Sequence, residues 1–371
     1  MAAIDTALTV KQPLAVAPTT AGRGIWVARS KAVAGRIVRW VLPVVAAIML
    51  VRFIRAGWPD IQASLSHLTT DQLPLVGLAV AVEALWVYAM SQVYRSALMA
   101  FGGTVPRLAV LRIAMAAFTL SRILPGGGAA GGAVAARELI AAGNPALRTV
   151  TSMLSSWWIS MTGLSALLVG GIAASVASSV MPARYLIAPA VALTAFLGGG
   201  AALVVAARSP RLHARVARAI TRGATRLDPD MAVDTSEPVH TNVRITGLLV
   251  VFGWGMVVWI TDAAALWLAL AAFGWQVNIG VLLVAYGVAN FIGALPELTP
   301  GWLGVIEASV AVTLAAFGVP EGIAAIAVLV YRLVSYWLPT AAGIPAAVSV
   351  LGGQRRTLRG TSPARTPKPT S

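Results

Sequence analysis

The chain has no cysteine among its 371 residues, only three histidines, and only 11% Asp, Glu, Lys and Arg. Each scarcity excludes something. Without cysteine there is no disulfide framework, no thiolate metal site and no cysteine nucleophile. The histidines, His67, His213 and His240, are far apart in sequence, in loops or at segment edges. No His/Asp/Glu metal cluster and no nucleophile elbow accompanies them, so the expectation is a protein with no catalytic residue, no metal and no cofactor. A soluble domain carries about 25% charged residues, so the low charge content also excludes the usual globular class.

What the chain has instead is long apolar sequence. It is 58% hydrophobic, with a mean hydropathy of +0.81. The stretches Thr149–Ala183, Tyr185–Ala207, Ala263–Pro296 and Leu333–Gln354 contain no charge at all. Each exceeds the roughly 20 apolar residues that cross a ~30 Å hydrocarbon core. They are apolar all round, without the alternation of a lipid-facing strand, so helices are the spanning solution. The expected fold is an all-α polytopic membrane protein.

The net charge of +15 is placed as membrane topology requires, in tails and in loops beside apolar runs, so no nucleic-acid partner is implied. Residues 1–37 read as a disordered basic cytoplasmic tail, 38–351 as the membrane domain, and 352–371 as a second basic cytoplasmic tail. The positive-inside bias puts both termini in the cytoplasm, with the protein in the inner (plasma) membrane. Within the domain, 208–244 reads as a basic cytoplasmic loop. There Arg211, Arg215, Arg218, Arg222 and Arg226 recur at steps of three and four, which is one face of a helix suited either to anionic headgroups or to plain solvation.

Six full spans are expected, about 38–54, 72–94, 148–174, 185–207, 247–272 and 322–350. Two further regions are too short to span in one piece. Leu108–Gly143 breaks at Leu124-Pro-Gly-Gly-Gly128, continues through a small-residue helix with Arg137 and Glu138, and ends at Gly143-Asn144-Pro145. Ile279–Phe317 breaks at Leu295-Pro-Glu-Leu-Thr-Pro-Gly301, continues through a short helix with Glu307, and ends at Gly318-Val319-Pro320. Both read as re-entrant helical hairpins, the first dipping from the cytoplasm and the second from outside. Each is followed by a long span, an order of parts that suggests an inverted-topology repeat with a midplane substrate site. The plainer alternative is that Pro and Gly kink ordinary spans.

Charged residues inside apolar segments are the candidates for function, since each costs about 2.5–3.5 kcal/mol at a helix centre on insertion scales. Glu83, Asp262, Glu307 and Arg332 belong to this group, with Arg122, Arg137 and Glu138 in the first hairpin. Arg332 lies about ten residues into the last span, roughly 15 Å deep at 1.5 Å per residue. Glu307 is its natural partner. The pair either holds the hairpin in place or edges a cavity in which the guanidinium fork receives a phosphate. Half-helix N-termini after the breaks, near Pro300, Gly301 and Gly304, would add donors.

The segment from Leu295 to Glu307, with Gly318-Val319-Pro320 and Tyr331-Arg332, resembles the flippase-like family, also called the lysylphosphatidylglycerol synthase transmembrane region. The shared pattern is Pro, Gly-x-x-Gly-x-x-Glu, a Gly-x-Pro turn and Tyr-Arg in the final span. Ser121-Arg-Ile-Leu-Pro125 with Arg137-Glu138 resembles the family's first motif, stretched by extra Gly and Ala. The resemblance implies lipid translocation or an accessory role, and the arginine at depth points to anionic membrane lipids as partners, the lipid being a phospholipid or a polyprenyl-phosphate-linked glycan. The alternative is a non-transporting scaffold for envelope-synthesis enzymes.

Overall fold

The computed structural model describes residues 73–123, 127–181, 187–206, 245–294 and 302–350. The two tails, the first expected span, the basic loop and both Pro/Gly breaks (all but Gly127 and Gly128) lie outside them. The described residues are helical throughout, joined by short turns, with no strand among them.

In chain order the helices are α1 (Leu73–Ala100), α2 (Arg107–Ile123), α3 (Gly127–Ala141), α4 (Ala146–Ala177), α5 (Ile187–Ala206), α6 (Ile245–Ala272), α7 (Ile279–Gly293), α8 (Val305–Ala316) and α9 (Glu321–Arg332). A π-helical turn, Leu333–Trp337, carries α9 into the short α10, Leu338–Ala342. Four helical stretches are long and apolar enough to cross a membrane: Leu73–Ala100, Ala146–Ala177, Ile245–Ala272 and Glu321–Val350. The 20-residue α5 is apolar as well. Five of the six expected spans therefore correspond to helices, though the first runs on past Tyr94 to Ala100.

The broken regions are pairs of short helices, as expected: 17 and 15 residues for α2 and α3, 15 and 12 for α7 and α8. The repeat is also longer than the sequence suggested. Each half begins with a 28-residue helix, α1 or α6, so the order is long, short, short, long in both. The turns into the second long helix match closely. Gly143 and Gly318 both take left-handed backbone, at φ +91° and +92°, which a side chain would strain. Pro145 and Pro320 then cap α4 and α9 with φ −57°, ψ 136° and φ −54°, ψ 135°.

Side chains sort as the membrane setting demands. Leu73, Leu78, Val191, Leu249, Val312, Leu333 and Val348 are exposed on the outer surface, where lipid rather than water is a compatible solvent. α1 and α6 pack along each other, burying Ala89, Val93, Val251 and Val258. The largest core joins α6 to α7, α8 and α9 through Leu266, Leu270, Leu282, Tyr286, Leu314 and Val328. Where α4 crosses α7, a Cβ on Gly171 would fall 2.6 Å from Cβ of Leu283. Small residues let the two backbones approach, the usual basis of helix contact in lipid.

Candidate functional site

Arg332 ends α9 and Glu307 occupies the first turn of α8. Arg332 Nε donates to Glu307 Oε1 at 2.6 Å, and both residues are buried. The other oxygen, Oε2, accepts the backbone N–H of Gly304 at 2.7 Å. One carboxylate therefore closes the N-terminus of α8 and anchors the arginine. Among the expected donors of the half-helix N-terminus, the Gly304 amide is thus engaged by Glu307. Pro300 and Gly301 lie outside the described residues.

Past Arg332 the helix widens. The N–H of Leu338 reaches back to the carbonyl of Leu333, and Pro339, having no N–H, cannot continue the α pattern. The widened turn presents Tyr336 to two cations. Arg332 lies 4.5 Å from its ring centroid and Arg122, from the end of α2, 4.8 Å from it. Arg122 also stands over Phe118 at 4.8 Å. Such contacts hold a guanidinium in place at little cost in desolvation.

Both arginines line a cavity of about 650 Å³ between the two halves. Its wall is otherwise largely apolar and aromatic, with Trp86, Trp157, Trp259 and Trp302, and it includes Asp262, Asn290 and the small residues Gly128 and Gly132. A mainly apolar volume with a few convergent polar groups is the usual form of a ligand site.

Asp262, in the middle of α6, is buried and accepts the phenol O–H of both Tyr286 and Tyr331 at 2.8 Å. Sequence reading singled out Asp262 as an intramembrane charge and gave it no role. Tyr331 was visible only as half of a Tyr-Arg motif, and Tyr286, a lone tyrosine in an apolar helix, carried no signal. Glu83, opposite on α1, is also buried.

Not all the nominated residues meet at the cavity. Arg332 and Arg122 line it, while Glu307 holds Arg332 from behind. Arg137 and Glu138 are half-buried on α3 and are absent from the cavity wall, to which their helix instead contributes Gly128, Gly132, Ala133 and Ala136. Neither forms an ion pair among the described residues. No group of three His, Asp or Glu that could hold a metal occurs among those residues.

A family model described as lysylphosphatidylglycerol synthase TM region matches residues 40–343. A UPF0104 membrane protein of Methanothermobacter thermautotrophicus is 35% identical over 100 residues, 27% of this chain and 30% of that protein. A second match of that name in the same organism is 31% identical over 105 residues, 28% of this chain and 30% of the relative. UPF0104 membrane protein MJ1595 of Methanocaldococcus jannaschii is 31% identical over 99 residues, 24% of this chain and 29% of the relative. The matched stretches thus span less than a third of the length of these relatives.

Proposed function

The chain belongs to the lysylphosphatidylglycerol synthase transmembrane-region family, and from that premise we propose that it carries anionic lipids between membrane leaflets, seating the headgroup between Arg122 and Arg332. The observation that carries this reading is the pair of guanidiniums sharing the Tyr336 ring on the wall of a largely apolar cavity. Two forks at one point suit a phosphate, each able to offer paired N–H donors. The surrounding tryptophans and small residues suit glycerol and the first acyl carbons, while the chain tails stay in lipid. The two-half architecture supports transport, because broken half-helices meeting around a central cavity allow one half to rock against the other.

In this reading the protein is a binder and carrier, and no step requires a catalytic group. It resides in the plasma membrane with both termini in the cytoplasm, the two helix pairs entering from opposite sides. Its ligands are anionic phospholipids or polyprenyl-phosphate lipids.

A second reading draws on the Glu307–Arg332 pair, which is closed on itself and on the N-terminus of α8. Such a pair can hold a rigid scaffold for envelope-synthesis enzymes without moving any lipid. Proteoliposomes separate the two. A carrier exchanges labelled phosphatidylglycerol between leaflets faster than labelled phosphatidylcholine, and Arg122→Gln slows the anionic lipid alone. A scaffold exchanges neither.

A further inference from the structure

One group inside the molecule is used by nothing described so far. Glu83 is 2% exposed, at mid-helix in the tightly packed α1–α6 pair, and neither carboxyl oxygen has a hydrogen-bond partner among the described residues. It lies within electrostatic reach of Asp262 on α6, whose own oxygens take the O–H groups of Tyr286 and Tyr331. One turn along α1, Trp86 Nε1 is a second buried polar atom without a partner among the described residues, and Trp86 lines the cavity beside Asp262.

Two carboxylates cannot hydrogen-bond to each other unless one carries a proton, because both are acceptors only. Side by side in a low-dielectric interior, two negative charges repel strongly. The polar groups facing the pair act on Asp262 and give Glu83 no hydrogen bond among the described residues. From α7 and α9 come phenols, and the cation Arg332 is within electrostatic reach of Asp262 but is committed to Glu307 of α8. Arg122 of α2 lines the cavity further along and packs on the Tyr336 ring of the π turn. α4 brings no ionisable side chain to that wall.

We propose that Glu83 and Asp262 form a proton-binding site, and that an anionic headgroup on Arg332 and an added proton on this pair bind together. The inference rests on the headgroup reading above. The coupling is electrostatic. A phosphate drawn to Arg332 takes up the positive field that Asp262 otherwise feels, and adds a negative charge across the cavity. A proton from bulk water, reaching Asp262 by way of the cavity and ending on a carboxyl oxygen of the pair, offsets that charge. Linkage then requires the reverse: a protonated pair binds the headgroup more tightly. In a membrane this makes lipid movement responsive to a proton gradient.

The test uses the full-length protein in a neutral detergent, titrated with dioctanoyl phosphatidylglycerol while the fluorescence of the cavity tryptophans is followed from about pH 5 to about pH 8. Affinity is expected to strengthen as pH falls, approaching tenfold per pH unit where one proton is taken up per headgroup. Glu83→Gln, isosteric and neutral, and Asp262→Asn should each flatten that slope while binding persists. A wild-type affinity independent of pH overturns the proton site and leaves the headgroup reading standing. So does a Glu83→Gln slope equal to wild type, or a dependence on sodium in place of pH. No binding at any pH overturns both readings.

Discussion

The two halves share a framework and differ in what they do with it. α1–α4 and the stretch from α6 to Val350 each run long, short, short, long, the last element of the second being the helical stretch Glu321–Val350, with the same left-handed glycine and capping proline before the last element. In the first half the middle residue of that turn is Asn144. Its side chain donates to Thr104 O and Leu139 O and accepts from Thr104 N, each at 3.0 Å. In the second half it is Val319, which packs into the apolar core. The first half ties its short helices with turn hydrogen bonds and small residues. The second ties them with a buried ion pair, and it contributes both phenols of the tyrosine–aspartate cluster. The backbone plan is thus separable from the polar chemistry: the second half supplies Asp262, Glu307, Arg332 and both phenols, and the first supplies Arg122 and Glu83.

The largest effect that would sharpen this contrast is at Glu307. Glu307→Ala strands Arg332 and uncaps α8, and should cost about 3–5 kcal/mol, the range for breaking a buried pair from one side. The thermal midpoint and the folded yield in detergent measure it. Pairing it with Arg332→Ala should return most of that loss, since the uncompensated charge is gone. Next come Tyr286→Phe and Tyr331→Phe, each removing one donor from Asp262 and costing about 1–3 kcal/mol. In the first half Asn144→Ala should cost a similar or smaller amount, about 1–2 kcal/mol, by leaving the Thr104 amide and carbonyl unmatched. The smallest effect is expected at Arg137→Ala and Glu138→Ala, each within about 0.5 kcal/mol, as for half-buried groups outside any network. If those two destabilise as much as Glu307→Ala, the contrast between the halves fails.

Much of this was legible in the sequence where one-dimensional pattern suffices. Long apolar, charge-poor runs gave the long helices, Pro/Gly breaks gave the short pairs, and depth in an apolar run pointed from Arg332 to Glu307. The leading long helix of each repeat was expected as a span but not as part of the repeat, because an unbroken span carries no landmark to align. The Tyr286–Asp262–Tyr331 cluster was hidden for another reason. It is assembled from three helices, and a phenol in an apolar helix looks no different from a core aromatic until its O–H has a direction. Arg95 and Arg148 were read only as topology markers. They also hold the α1–α2 turn, Arg95 Nε donating to Val105 O at 3.3 Å and Arg148 Nη1 to Gly102 O at 3.0 Å. The inverted sense of the repeat is open to cysteine labelling in this cysteine-free chain. A thiol at Gly128 should react only from the cytoplasm and one at Thr299 only from outside.

The most direct test of the central claim is leaflet-resolved transport of labelled phosphatidylglycerol by proteoliposomes carrying the wild type or the Glu307→Ala/Arg332→Ala double variant. The double variant should fold, because no charge is left stranded, and should lose transport, because Arg332 is gone from the headgroup site. Transport by a folded double variant at the wild-type rate, or none by the wild type, would contradict the account.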